Sequence, residues 1–265
     1  MMERAVAFIS DLHIGSRLAL WPPHFVHPVH GQPMPLSPAQ EQLWGYWEDF
    51  LLACDRWKVD TVCSMAEIIN GKNPREHGRY QMEADMNVQA KAAIEVLKTI
   101  VTPSRSFWAV QGTEYHDGFN GKIEQTIVEH LGGAWFGPVK NVRLAGTNLT
   151  LNLCHGTGGS PVYSASLAEA NLREHLISEA LDKVPHVDLF VRGHIHTHFQ
   201  VKKHQNGYLQ CPAWQDFLPF KPLLRKIGLY QPDIGAVIVG FWKNSYVIRE
   251  YLSKPPGHLL KAVRL

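Results

Sequence analysis

Five short apolar runs each end in polar residues of the same two kinds, carboxylate and imidazole. AVAFIS leads into Asp11-Leu12-His13, and a run through Val59 and Val62 to Ser64 leads into Ala66-Glu67-Ile68-Ile69-Asn70-Gly71. FWAVQG leads into Gly112-Thr113-Glu114-Tyr115-His116, LTLNLCHG carries His155 at its end, and VDLFVRGHIH closes on Gly193-His194-Ile195-His196. A continuous apolar run bounded by turn residues reads as a strand covered on both faces. Between the runs lie helical patterns. SPAQEQLWGYWEDFLLACDRW has a Ser N-cap and Pro in its first turn, and Met82 to Ile100, about Gly121 to Leu131 and Ser164 to Leu181 follow the same three-and-four spacing. Strands alternating with helices predict an α/β fold, whose loops beyond the strand carboxyl ends converge on one crevice. Asp11, His13, Glu67, Asn70, Thr113, Glu114, His116, His155, His194 and His196 are therefore expected to meet, although they are scattered along the chain.

Other stretches are less regular. Trp21 to Ser37 is rich in proline and holds His24, His27 and His30, which reads as an ordered loop. After residue 198 the pattern changes to two hairpins, one turning at Asn206-Gly207 and one near Lys243-Asn244. At 265 residues, 45% hydrophobic and 19% charged, the chain suits one globular α/β domain. The net charge of +2 comes from basic residues spread along the chain, without the block that marks a nucleic-acid tail. Cys54, Cys63, Cys154 and Cys211 form no C-x-x-C pair, which argues against a zinc ribbon and for reduced thiols. No basic-apolar leader opens the chain and no apolar run reaches about 18 residues. The expected setting is the cytoplasm, with no membrane partner.

Carboxylate and imidazole together suit first-row divalent metals, and this many candidates exceed what one ion can use. Two ions sharing a bridging carboxylate would employ them. Taken singly, Asp11-Leu12-His13 also reads as a capped loop, and His155 or His116 as a satisfied loop histidine. The order of the motifs, all at strand ends, favours metal.

In that order the residues resemble the calcineurin-like metallophosphoesterases, whose motifs run D-x-H, G-D-x-x-D, G-N-H-(D/E), H and G-H-x-H. The likeness covers about residues 5 to 200, and the first and last motifs match closely. Glu67 falls where the family has its metal-bridging Asp, and Gly112-Thr113-Glu114-Tyr115-His116 falls where it has G-N-H. The G-T-x-x-H form, with Gly71-Lys72-Asn73-Pro74 and the Gln89-Ala90 helix, looks like a phage- or prophage-encoded branch.

The resemblance implies a four-layer αββα sandwich of two mixed β-sheets flanked by helices. Residues 1–265 would form one domain, with hairpins over 198–252 completing the second sheet. It implies two divalent ions, manganese foremost, with iron, zinc, nickel or magnesium as alternatives. Asp11, His13 and His196 would hold one ion and His155 and His194 the other, with Glu67 bridging, Thr113 at the Asn ligand's place and Asn70 in support. His116 is preferred to Glu114 as the catalytic acid, because a carboxylate there would repel phosphate. The implied activity is hydrolysis of a phosphodiester, in nucleic acid or a nucleotide, by a hydroxide activated on two metals. A phosphomonoesterase acting on a small molecule or phosphoprotein is one alternative, and a degenerate site serving as a binding scaffold is the other. Arg17, Lys72 and Tyr115 are candidate substrate contacts, alongside Arg75, Arg192 and Lys202, and Trp21, Phe25, Phe119, Trp214 and Phe217 are candidate base-stacking rings, although most of these rings read more readily as core or rim packing. Oligomeric state is not legible.

Overall fold

The computed structural model describes residues 2–74, 77–117, 121–156, 164–203, 205–216 and 232–254. In chain order the elements are β1 (Arg4–Ile9), α1 (Pro38–Arg56), β2 (Thr61–Ser64), α2 (Met86–Lys98), β3 (Ser106–Ala109) and the single turn α3 (Glu114–Asp117). Next come α4 (Lys122–His130), β4 (Ala134–Trp135), β5 (Val139–Arg143), β6 (Thr150–Cys154) and α5 (Ser164–Ala180). The last are β7 (Leu189–Arg192), β8 (Phe199–Lys203), β9 (Asn206–Gln210), β10 (Ile234–Phe241) and β11 (Tyr246–Ser253).

Strand β1 shows how the layers arise. Successive side chains point to opposite faces of a strand, and here both faces are apolar. Ala5, Ala7 and Ile9 pack with Leu43, Trp47 and Phe50 of α1, Val88 and Ala92 of α2, and Ile127 of α4. Val6 and Phe8 face the other way and pack with Leu151, Leu153, Leu189, Val191 and Leu209. That second group belongs to another sheet, whose far side is covered by Ala168 and Leu172 of α5 against Phe190 and Tyr208. Helix, sheet, sheet and helix thus follow from period-two alternation on strands that are apolar on both faces.

The first sheet has the order β11-β10-β1-β2-β3-β4 and the second β5-β6-β7-β9-β8. Both are mixed. β1, β2 and β3 run parallel, with Val6 beside Thr61 and Thr61 beside Ser106, and β10 is antiparallel to β1. In the second sheet β6, β7 and β9 run parallel, while β5 and β8 are antiparallel neighbours. This is the expected αββα sandwich of two mixed sheets flanked by helices. No helix among the described residues is long and apolar enough to cross a membrane.

Several boundaries differ from the sequence expectation for local reasons. α2 begins at Met86 because Asp85 caps it, accepting from Asn87 N at 2.8 Å, while Met82 N is tied to Gly15 O at 2.8 Å. β5 lacks a continuous apolar run, and four of its five residues are exposed, so the sequence reading passes over it. The first hairpin turns before Asn206. That residue opens β9, its side chain donating to Val187 O at 2.6 Å, and Gly207 makes room for the Tyr246 hydroxyl. The second hairpin turns where expected, with Trp242 N donating to Ser245 O at 2.8 Å. It corrects the expectation that both hairpins complete the second sheet: β10 lies beside β1 in the first. All eight residues of IGAVIVGF are buried, which suits a strand covered on both faces.

The contact between sheets is testable at Phe8, which is fully buried in it. Phe8→Ala should lower unfolding free energy by about 3–5 kcal/mol, read as a shift in urea midpoint. A loss below about 1 kcal/mol would contradict this packing.

Candidate metal centre

The loops after β1, β2, β3, β6 and β7 meet at the seam between the two sheets, with Glu67 at the middle. Its Oε2 lies 3.3 Å from His13 Nε2 and 3.6 Å from His116 Nε2. Its Oε1 lies 3.1 Å from His155 Nε2 and 4.0 Å from His194 Nδ1. Asp11 Oδ1 is 3.3 Å from His196 Nε2, 3.8 Å from His13 Nε2 and 3.9 Å from His155 Nε2. The Nε2 atoms of His13 and His196 are 3.1 Å apart. Two groups of donors result, Asp11-His13-Glu67-His196 and Glu67-His155-His194, with the donor atoms within each lying inside 4.8 Å. Glu67 belongs to both. Asp11 Oδ1 is buried without a hydrogen-bond partner among the described residues. An unsatisfied buried carboxylate oxygen facing converging imidazole nitrogens fits a first-row divalent cation.

Each side chain is aimed by a second contact. His155 Nδ1–H donates to Met65 O at 2.5 Å and His116 Nδ1–H to Asn70 O at 2.8 Å, which turns both Nε2 atoms toward Glu67. Asp11 Oδ2 accepts from the Ser10 hydroxyl and from His194 N at 3.0 Å, leaving Oδ1 toward the histidines. Thr113 Oγ1 donates to Glu67 Oε1 at 2.6 Å, so at this position the hydroxyl orients the carboxylate.

The backbone is unusual at these positions. Asp11, His13, Ala66, Glu67, His194 and His196 all have left-handed φ, between 44° and 80°. For a residue with a Cβ that conformation costs roughly 1–2 kcal/mol and persists only where surroundings enforce it. The enforcement is visible in the zipping of the two loops: Asp11 N to Ala66 O, His13 N to Glu67 O, Ile14 N to Ile68 O and Asn70 N to Ile14 O, all between 2.9 and 3.1 Å. Two glycines permit the approach. A Cβ on Gly193 would sit 2.2 Å from Ser10 Oγ, and one on Gly71 would sit 1.7 Å from His116 O.

Electrostatics follow from this crowding. Burial alone would raise the Glu67 carboxyl, yet the fields of His116, His155 and His13 hold it well below the usual carboxylate range. Burial also opposes ionisation of Asp11, and His196 and His155 outweigh it, so its pKa is lowered. Burial would lower the His155 imidazole, but Glu67 and Asp11 push it up to about 10. His194 moves down, through burial and then the neighbouring His155.

The other expected residues are placed variously. Asn70 is buried, its Oδ1 3.4 Å from Asn73 Nδ2, and its carbonyl anchors His116. Tyr115 OH donates to Asn73 Oδ1 at 2.5 Å. Glu114 and Lys72 are exposed, and Arg17 donates to Gln81 O at 3.3 Å. Trp21, Phe25 and Trp214 are core residues and cannot stack on a base. Arg192 is held by Asn152, through O at 3.0 Å and Oδ1 at 2.6 Å. His27, in the proline-rich loop, is buried against Glu83 at 3.1 Å. Arg75, Phe119 and Phe217 lie outside the described residues. Sequence reasoning assigned no site role to Gln89 or Glu124. Gln89 accepts from Gly71 N at 2.9 Å and donates to Gly71 O at 3.0 Å; Glu124 accepts from Ile68 N at 2.5 Å. A carboxylate sharing its helix face with Ile127 and Val128 was the available signal for Glu124.

No protein-family model matches the chain, and no curated protein matches its sequence. Among solved structures it is similar to a Vps29 double mutant from Entamoeba histolytica, at 15% identity over 92% of this chain and 89% of that one, TM-score 0.48. It is similar to wild-type Vps29 complexed with zinc from the same organism, at 14% identity over 92% and 89%, TM-score 0.45. A structure described as a novel archaeal phosphodiesterase aligns at 11% identity over 92% and 98%, TM-score 0.48. At such low identity the likeness is one of overall shape, and the chemistry has to come from this chain's own residues.

His155 yields a pH test. Its folded pKa is raised from 6.5 to about 10, so its contribution is fully present below pH 6.5 and is lost as pH rises through about 10. In chelator-treated protein the urea midpoint should fall as pH rises across that window, and His155→Gln should flatten the slope. An unchanged slope would mean that His155 is not the group responsible.

Proposed function

We propose that this chain is a divalent-cation-dependent phosphoesterase of the calcineurin-like type, cleaving phosphodiesters in a nucleotide or nucleic acid. The observation that carries the reading is Glu67, whose two oxygens serve two adjoining groups of donors, all buried except the half-buried His194. Asp11, His13, Glu67 and His196 would hold one cation, and Glu67, His155 and His194 a second, with the Thr113 hydroxyl beside it. Bound there, divalent cations would neutralise phosphate oxygens and bring the pKa of water toward neutrality.

The chain's own groups supply the rest. Asp11, His13, Glu67 and His155 are buried, whereas His194, Thr113 and His116 are only partly so, and a phosphate would enter from their side. His116 is fixed through Nδ1 and turns Nε2 inward, where the protonated ring would give its proton to the departing alkoxide. Glu114 is exposed and belongs to neither donor group. Arg17, Lys72 and Tyr115 would contact the remainder of the substrate. Manganese as the cation and a phage- or prophage-type origin belong to the same reading, resting on the mixed donor set and on the Gly112-Thr113-x-x-His116 spacing. A cytoplasmic setting accords with four free cysteines.

Purified protein should hold about two cations per chain and hydrolyse bis-p-nitrophenyl phosphate faster than p-nitrophenyl phosphate when manganese is added. His196→Ala should lose cation and turnover together, and retained turnover would sink the ligand assignment. His116→Gln should keep its cations while kcat drops by about 10²–10⁴-fold. Equal loss of both would instead make His116 a ligand.

A further inference from the structure

Helix α4 starts on a left-handed glycine, Gly121, which offers no side-chain cap. Its first free N–H groups are met from α3 instead: Asp117 Oδ1 accepts from Ile123 N at 3.2 Å and Oδ2 from Glu124 N at 3.0 Å. From the same turn, the Glu124 side chain runs beneath the Glu67 loop. It is 1% exposed, and its Oε1 accepts from Ile68 N at 2.5 Å and Ile69 N at 3.3 Å. A carboxyl buried beside Ile127 and Val128 is an expensive way to fill space, and a Leu or Met would pack there without desolvating a polar group. What only the carboxyl supplies is an acceptor for two N–H groups directly after Glu67. Those N–H groups follow two consecutive left-handed residues, Ala66 and Glu67. One turn of α4 therefore touches both the loop carrying Glu67 and the turn carrying His116.

We propose that Glu124 is a positioning residue for the metal centre: it holds the backbone after Glu67 so that both carboxylate oxygens face the histidines, and through the Asp117 cap it sets that loop relative to His116. The inference deepens the cation reading above and rests on it for its functional weight. Two substitutions separate reach from charge. Glu124→Gln keeps the acceptor oxygen at full length, whereas Glu124→Asp keeps the carboxylate but draws it back by one methylene.

Two readouts are made on folded protein: hydrogen exchange at the Ile68 and Ile69 amides, and Mn²⁺ affinity followed by the electron paramagnetic resonance signal of free Mn²⁺. Glu124→Asp should speed exchange at both amides and weaken Mn²⁺ binding by about 10-fold or more, while Glu124→Gln stays close to wild type. Unchanged exchange and affinity in the Asp variant, or equal loss in both variants, would overturn the proposal. Should the Asp variant not fold, loss of amide protection in a folded Gln variant would overturn it, and retained protection with retained affinity would support it. If the wild-type chain binds no Mn²⁺, the cation reading fails, and the amide exchange alone decides whether Glu124 holds the loop.

Discussion

Asp11 and Glu67 are carboxylates removed from solvent, and a buried carboxylate is tolerated only where charge or hydrogen bonds replace the lost water. Here the replacement comes from two directions. Asp11, His13 and Glu67 follow strands of one sheet, and His155, His194 and His196 follow strands of the other. The seam between the sheets is therefore an electrostatic junction as well as an apolar one. Its geometry depends on the packing of Val6 and Phe8 against Leu151, Leu153, Leu189 and Val191, which sets how closely the strand ends approach.

That approach has a conformational cost, concentrated in the left-handed residues around the donors. Their placement is not arbitrary: in both Asp11-x-His13 and His194-x-His196 the two donors are the left-handed residues, and each pair flanks an apolar residue, Leu12 or Ile195, that is buried. The apolar side chain anchors the turn while its neighbours reach the centre. Gly193 and Gly71 occur where a side chain would collide with the opposite loop, so they serve closeness of approach and not flexibility.

The residues that differ from the motifs this chain resembles are mutually adjusted. Glu67 has a longer arm than an Asp would have, and a longer arm is free to swing. The Thr113 hydroxyl removes that freedom by donating to Oε1, while His13 and His116 face Oε2. His116, displaced along the chain from the usual His position, returns to the centre because α3 is a single turn and the Asn70 carbonyl holds its ring. The residues at these two motifs are thus adjusted to one another by direct contacts.

The sequence by itself determined the five strands that lead to the site and the residues at their ends. Apolar runs and the polar residues that stop them are local properties of the chain, and α1 was legible for the same reason, through its Ser37 cap and regular spacing. The tertiary structure alone decided that the five strand ends are divided between two sheets facing each other across a seam, because strand order is a matter of long-range pairing. It likewise sent β10 to the first sheet, turned Asn206 from a turn residue into a buried donor, and buried Trp21, Phe25 and Trp214, rings that composition could equally have left at the mouth. Glu124 is the clearest case: its significance lies in Ile68 and Ile69, 56 and 55 residues away. No local pattern encodes a partner at that distance, since the backbone N–H groups it serves are the same in every sequence and only their placement singles them out.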